Sequence, residues 1–225
     1  AELFGNTNIK SITENIFDST TQTNIISGDR MFYNCTQLET VPNTLFIDKF
    51  NYLKAAFYNC SKITQVPDLY KLTQLQYTDF MFANCTTLKY KFDNLITNVN
   101  DTKITTNLIT YPKSLANDDF YRISTYTLTN LKSANAMYYN TEIIANTIIT
   151  QNEQGEIIST SAFPDNYFEY NKNLQFINNL FAGVNKDNSK IKTILPNKFI
   201  SSTIIEAAGV FSNTNIYNHV NSQFM

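Results

Sequence analysis

Apolar and polar positions along this chain return in blocks instead of alternating evenly. An apolar residue, an aromatic ring, a variable residue, Asn and a small residue recur as Met31-Phe32-Tyr-Asn-Cys35, Ala56-Phe57-Tyr-Asn-Cys60 and Met81-Phe82-Ala-Asn-Cys85. The rings at 32, 57 and 82 are equally spaced, 25 residues apart. The same block, more loosely kept, opens at Leu3-Phe4, Met137-Tyr138, Leu180-Phe181 and Val210-Phe211. A fixed period in the twenties predicts a stacked repeat array, because one such unit cannot bury its own apolar face.

A second landmark follows most anchors. It reads Val41-Pro42, Val66-Pro67, Tyr111-Pro112, Phe163-Pro164 and Leu195-Pro196, with Thr13 in the Pro position of the first copy. Between anchor and Pro the runs Ile9–Ile12, Leu38–Val41 and Ile63–Val66 predict short strands, which Pro ends because it has no amide to give a ladder. The stretch leading to the next anchor, as in Phe50–Phe57, predicts a short helix or turn. The expectation is an α/β repeat: one domain over 1–225, a solenoid of six repeats and a partial seventh.

The spacing from anchor to Pro lengthens sharply in the fourth and fifth copies, from Phe82 to Pro112 and from Tyr138 to Pro164. Ile- and Thr-rich runs flanking Asn98–Lys103 and Gln151–Gly155 predict inserted β-hairpins over 88–111 and 143–163. Both inserts leave the repeat at the same point, so both are expected on one side. A seventh anchor at Val210-Phe211 is followed by no Pro landmark, which leaves residues 214–225 as a cap or the array to be continued by something else.

Composition narrows the function classes. A formal net charge of −2 with only 16% charged residues argues against nucleic acid, whose phosphates attract clustered Lys and Arg. No run approaches the roughly 20 apolar residues of a membrane helix, so insertion by this segment is not expected. Asn, Thr, Ser and Gln carry the polarity, which suits a secreted or cell-surface protein. The chain starts at Ala1 with no signal-like run, as expected of a trimmed product or a piece of a longer protein.

Catalytic and metal chemistry find little support. His219 is the single His, Gly numbers 5, and Asp118-Asp119 has no second carboxylate site to work with. Asn98–Asp101 and Asn185–Asn188 offer oxygens but lack the spacing of a calcium loop. No cofactor, metal or enzyme activity is expected. Cys35, Cys60 and Cys85 share one repeat position, held elsewhere by Thr7, Thr141 and Thr214, which predicts unpaired core thiols over a disulfide between neighbours. Asn34, Asn59 and Asn84 each sit in a glycosylation pattern, and the repeat itself explains them better as turn residues.

Two rows are candidates for binding. One is Tyr33, Tyr58 and Tyr139, each directly after an anchor ring. Exposed Tyr is a good interface residue, the competing role being packing between repeats. The other is a polar strip of strand positions: Lys10 and Ser11, Glu39 and Thr40, Thr64 and Gln65.

The Met-Phe-x-Asn-Cys-x-x-Leu-x-x-Val-Pro cadence of Met31 to Pro42, matched at Ala56 to Pro67 and in part at Met81 to Leu88, resembles the BspA-like leucine-rich repeats of bacterial surface proteins. It is similar also to repeats of mycoplasma surface lipoproteins. The resemblance implies a right-handed leucine-rich-repeat solenoid, a place at the cell surface and adhesive binding of protein ligands, with a host surface or matrix as partner. It implies no enzyme activity. The long inserts depart from that pattern. Two other functions compete: a structural or receptor-binding component of a phage or other surface assembly, and a protein that acts on or binds glycans.

Overall fold

The computed structural model describes residues 2–14, 16–17, 24–64, 66–69, 71–88, 96–98, 128–141, 148–151, 157–161, 168, 170–184 and 203–214. Its organising feature is a column of anchor rings. Phe4, Phe32, Phe57, Phe82, Tyr138, Phe181 and Phe211 stack in sequence order, with centroids 5.2–6.1 Å apart. The five inner rings are essentially inaccessible to solvent. Rings at this separation are within the range where aromatic pairs attract.

Numbering each copy from its ring as position 0, further apolar columns flank the first. Position −7 holds Phe50, Leu75, Leu131 and Leu174, and position −1 holds Met31, Ala56, Met81, Met137, Leu180 and Val210, all buried. Leu38, Ile63 and Leu88 at +6 are buried as well. These columns merge into one core.

Backbone hydrogen bonds set the alignment. Amides at −4, −2, 0 and +2 donate to the next copy's carbonyls at −5, −3, −1 and +1: Gly28 to Tyr52, Arg30 to Lys54, Phe32 to Ala56 and Asn34 to Tyr58, at 2.7–2.8 Å. The same four bonds join the copies of Phe57, Phe82, Tyr138 and Phe181 to their successors. Amides at −6 and −5 donate the other way, as when Asn51 and Tyr52 share the carbonyl of Ile26. Amides at −1, +1 and +3 close turns within their own copy, as Met31 to Gly28, Tyr33 to Arg30 and Cys35 to Phe32.

Left-handed residues at two positions of the copy turn the peptide planes this way. Position +2 has φ near +60° at Asn6, Asn34, Asn59, Asn84, Asn140 and Asn213, and Gly183 takes the same place in the sixth copy. Asn and Gly are the residues that adopt this conformation at least cost. The Asn side chains also form a ladder, Asn34 donating to Asn6, Asn59 to Asn34 and Asn140 to Asn84. Position −2 is left-handed too, at Arg30, Ala55, Phe80, Ala136, Asn179 and Gly209. Four of those six are neither Asn nor Gly, so the stack imposes the conformation at a cost of roughly 1–2 kcal/mol each.

The strands expected between anchor and Pro reduce, in the described residues, to an isolated parallel bridge, Ser11 to Thr40, and an amide bond from Thr64 to Glu39. A longer line of bridges runs at −5 instead: Ser27, Tyr52, Tyr77, Ser133, Phe176 and Glu206. The stretch 50–57 forms turns and no helix. Among the described residues the longer elements are β1 (Ile96–Asn98), β2 (Ile148–Gln151) and β3 (Ile157–Ser161). Strands β2 and β3 pair antiparallel inside the second insert, while β1 of the first insert pairs parallel with β2. The second arm of the first insert, the Pro landmarks from 112 onward, Gln65, Asp118, Asp119, His219 and the tail from 215 lie outside the described residues. The ladder continues without a break across the first insert, from Thr78 to the carbonyl of Ser133.

Two stability measurements follow. Phe57→Ala should lose about 3–5 kcal/mol in urea unfolding, the range for a core aromatic, and a loss under about 1 kcal/mol would remove the ring from the core. Asn59→Ala should be less stable than Asn59→Gly by about 1 kcal/mol, because Gly keeps the left-handed backbone at no steric cost. Equal losses would show that the amide ladder, not the backbone conformation, selects Asn.

Candidate functional site

The repeated backbone places like-numbered side chains about one ring step apart, so a binding surface here is a set of columns. Of the Tyr row, Tyr33 and Tyr58 stack with centroids 5.0 Å apart and planes 8° from parallel, both half-buried. Arg30 lies over Tyr33, its guanidinium carbon 5.7 Å from the centroid. Tyr139 is 41% exposed, but buried Ala83 stands between it and Tyr58 in the row. The structure therefore joins two of the three tyrosines.

The polar strip is brought together by backbone bonds. The amide of Glu39 donates to Lys10 at 2.8 Å and that of Thr64 to Glu39 at 2.9 Å. The Thr64 hydroxyl also donates to the Glu39 carbonyl at 3.3 Å. Lys10, Ser11, Glu39 and Thr64 are exposed and Thr40 is half-buried.

A third surface, which the sequence reading did not single out, lies before the anchors at −5, −3 and −2. Position −3 carries side-chain oxygens that accept the −3 amide of the next copy: Asp29 from Lys54 at 2.7 Å, Asp79 from Asn135 at 3.1 Å, Asn135 from Asn178 and Asn178 from Ala208 at 2.8 Å. The sequence signal was an Asp or Asn three residues ahead of four anchors. Lys54 breaks the series. Its ammonium lies 3.6 Å from Asp79 and 4.6 Å from the centroid of Tyr77. Position −5 carries rings at Tyr52 and Tyr77, stacked at 5.2 Å and 2°, and again at Phe176. Tyr77, Phe176, Lys54, Asp79 and Asn135, together with Phe80, which is 47% exposed, line an open groove of about 720 Å³.

Comparison with protein-family models, curated proteins and solved structures finds no match for this chain.

The remaining chemistry is sparse. Among the described residues no three His, Cys, Asp or Glu side chains gather closely enough to hold a metal ion. No helix there is long and apolar enough to cross a membrane. Cys35, Cys60 and Cys85 are free, fully buried thiols, each donating to the anchor carbonyl of the copy before it at 3.0–3.1 Å. Thr7, Thr141 and Thr214 at the same position donate to their own anchor carbonyl. The side-chain nitrogens of Asn34 and Asn59 are engaged in the Asn ladder, in keeping with a turn role.

Burial pushes the Cys60 thiol far up, reinforced by Cys85 and then Cys35, and burial likewise raises Cys85. Both stay protonated in the folded chain, whereas the unfolded chain ionises them near the ordinary value of 9.0. Their contribution is intact below that pH and lost as pH rises above it, by about 1.4 kcal/mol per pH unit for each thiol. Urea midpoints from pH 8 to 11 should fall accordingly, and Cys60→Thr with Cys85→Thr should flatten the decline. An unchanged slope in that double variant would place its origin elsewhere.

Proposed function

We propose that the chain is a non-enzymatic binding module, a leucine-rich-repeat solenoid that recognises a protein ligand at the cell surface through its columns of side chains. The observation that carries the reading is the backbone ladder. It holds chemically different side chains at equivalent positions in fixed register, which pre-organises a broad face and lowers the ordering cost of binding. The stacked Tyr33–Tyr58 pair supplies aromatic groups of the kind interfaces are enriched in, and the strip of Lys10, Ser11, Glu39, Thr40 and Thr64 adds a nearly neutral set of hydrogen-bonding groups. The BspA-like cadence supports the same class and suggests a host surface or matrix as the partner.

The test is binding of the immobilised chain to purified extracellular-matrix proteins, with a glycan panel alongside. Saturable binding to a matrix protein is expected, and Tyr33→Ala with Tyr58→Ala should weaken it about tenfold, as for a central aromatic anchor. Binding to glycans alone would transfer the function to the carbohydrate class. Protein binding untouched by the Tyr variants and by Glu39→Lys would move the contact off both rows.

A further inference from the structure

The −5 row has a missing tooth. Its side chains run Tyr52, Tyr77, Ser133, Phe176, and each is bridged to the next through the backbone. Tyr52 and Tyr77 set the step of this row, two flat rings 5.2 Å apart and nearly parallel. Tyr77 and Phe176 are two steps apart, and among the described residues the row places the Ser133 hydroxyl between them, with the Lys54 ammonium 4.6 Å from the Tyr77 centroid. Two such steps admit one further flat ring, at a separation from each wall inside the roughly 4.5–7 Å preferred by aromatic pairs. All three positions line the same groove.

The floor of the gap is polar and already organised. Ser133 donates its hydroxyl to Asp79 Oδ1, which also accepts the Asn135 amide, and the Asn135 side chain donates to Ser133 at 3.1 Å. The serine is thereby held down along the floor. Asp79 Oδ2 faces only the Lys54 ammonium, at 3.6 Å, among the described residues. An ionised carboxylate has about four acceptor sites, so this oxygen retains capacity for a donor. The Asp79 side chain is 14% exposed and lines the groove. The charged groups lining the groove are Asp29 and Asp79 against Arg30 and Lys54, which balance and favour an uncharged ligand group.

We propose that this gap is a docking notch for a tyrosine side chain of the protein partner. The ring stacks between Tyr77 and Phe176, and the phenol donates to Asp79. This assignment rests on the protein-binding reading above. A flat aromatic ring matches the walls because the row itself is built from such rings, and the remaining acceptor capacity of Asp79 Oδ2 beside Lys54 distinguishes tyrosine from phenylalanine. Sequence reading passes over the notch because its defining residue is an unremarkable serine.

The full chain should be titrated with N-acetyl-L-tyrosinamide while backbone amide resonances are followed. Saturable shifts confined to residues 77–80, 133–135 and 176 are expected. N-acetyl-L-phenylalaninamide should bind about tenfold more weakly, the worth of one hydrogen bond to a charged acceptor, and Asp79→Asn should shrink that difference. Ser133→Tyr, which fills the gap from within, should abolish the shifts. Phe176→Ala, which removes one wall and leaves the ladder bonds in place, should weaken them about tenfold and serves if the tyrosine variant does not fold. Absent or non-saturable shifts, equal affinity for both amides, or occupancy by a methyl pyranoside in place of the tyrosine amide would each overturn the proposal. A chain that binds matrix proteins yet ignores the tyrosine amide loses the notch alone. One that binds the amide but no protein loses the reading beneath it.

Discussion

The structure depends on a directional exchange of backbone hydrogen bonds between successive copies. In the copies of Phe32, Phe57, Phe82, Tyr138 and Phe181 four alternate amides reach forward, from the Phe57 copy onward the −6 and −5 amides reach back, and others close turns at home. The −3 amide is taken by an Asp or Asn side chain of the preceding copy wherever one is present. Buried peptide groups must find partners, and among the described residues, which are mostly turns, no helix or wide sheet provides them. The two left-handed residues are what let it do so. The ring column then fills the space that this backbone encloses, and the buried thiols donate into the same frame.

That frame explains what the sequence disclosed. Position 0 was legible because it must be a flat ring, and +2 because only Asn or Gly sits there comfortably. The Cys and Thr at +3 were legible as small alternatives at one packing position, and Cys35, Cys60, Cys85 and Thr141 are buried there. Position −2 was illegible: Arg30, Ala55, Phe80 and Ala136 share no chemistry, and the neighbouring copies enforce their backbone. The apolar column at −7 is present in the sequence at Phe50, Leu75, Leu131 and Leu174, but the inserts space its members unequally and apolar residues are common elsewhere in each copy. The strands expected between anchor and Pro reduce, among the described residues, to the bridge of Ser11 with Thr40 and the amide bond from Thr64 to Glu39.

The binding surfaces divide along the same line. The Tyr row was visible because Tyr follows the anchor, yet Ala83 holds the same place in the Met81–Cys85 block, and in the structure it is buried and interrupts the row. The groove before the anchors could be recognised only once the −5 row was known to be continuous across a long insert. A serine then becomes informative by its neighbours. In a stacked array the meaning of a residue is set by what occupies the same place one copy away, and function is carried by departures from the column.

Native-state hydrogen exchange tests the central claim most directly. If the copies on either side of the first insert share one ladder, the amides of Thr78, Phe80, Phe82 and Asn84 will be as slow to exchange as those of Leu53, Ala55, Phe57 and Asn59, because their acceptors are Ser133, Asn135, Met137 and Tyr139. Slow exchange confined to the earlier set, with the later set exchanging freely, would contradict the account. It would separate the two halves and dissolve both the continuous columns and the surfaces built on them.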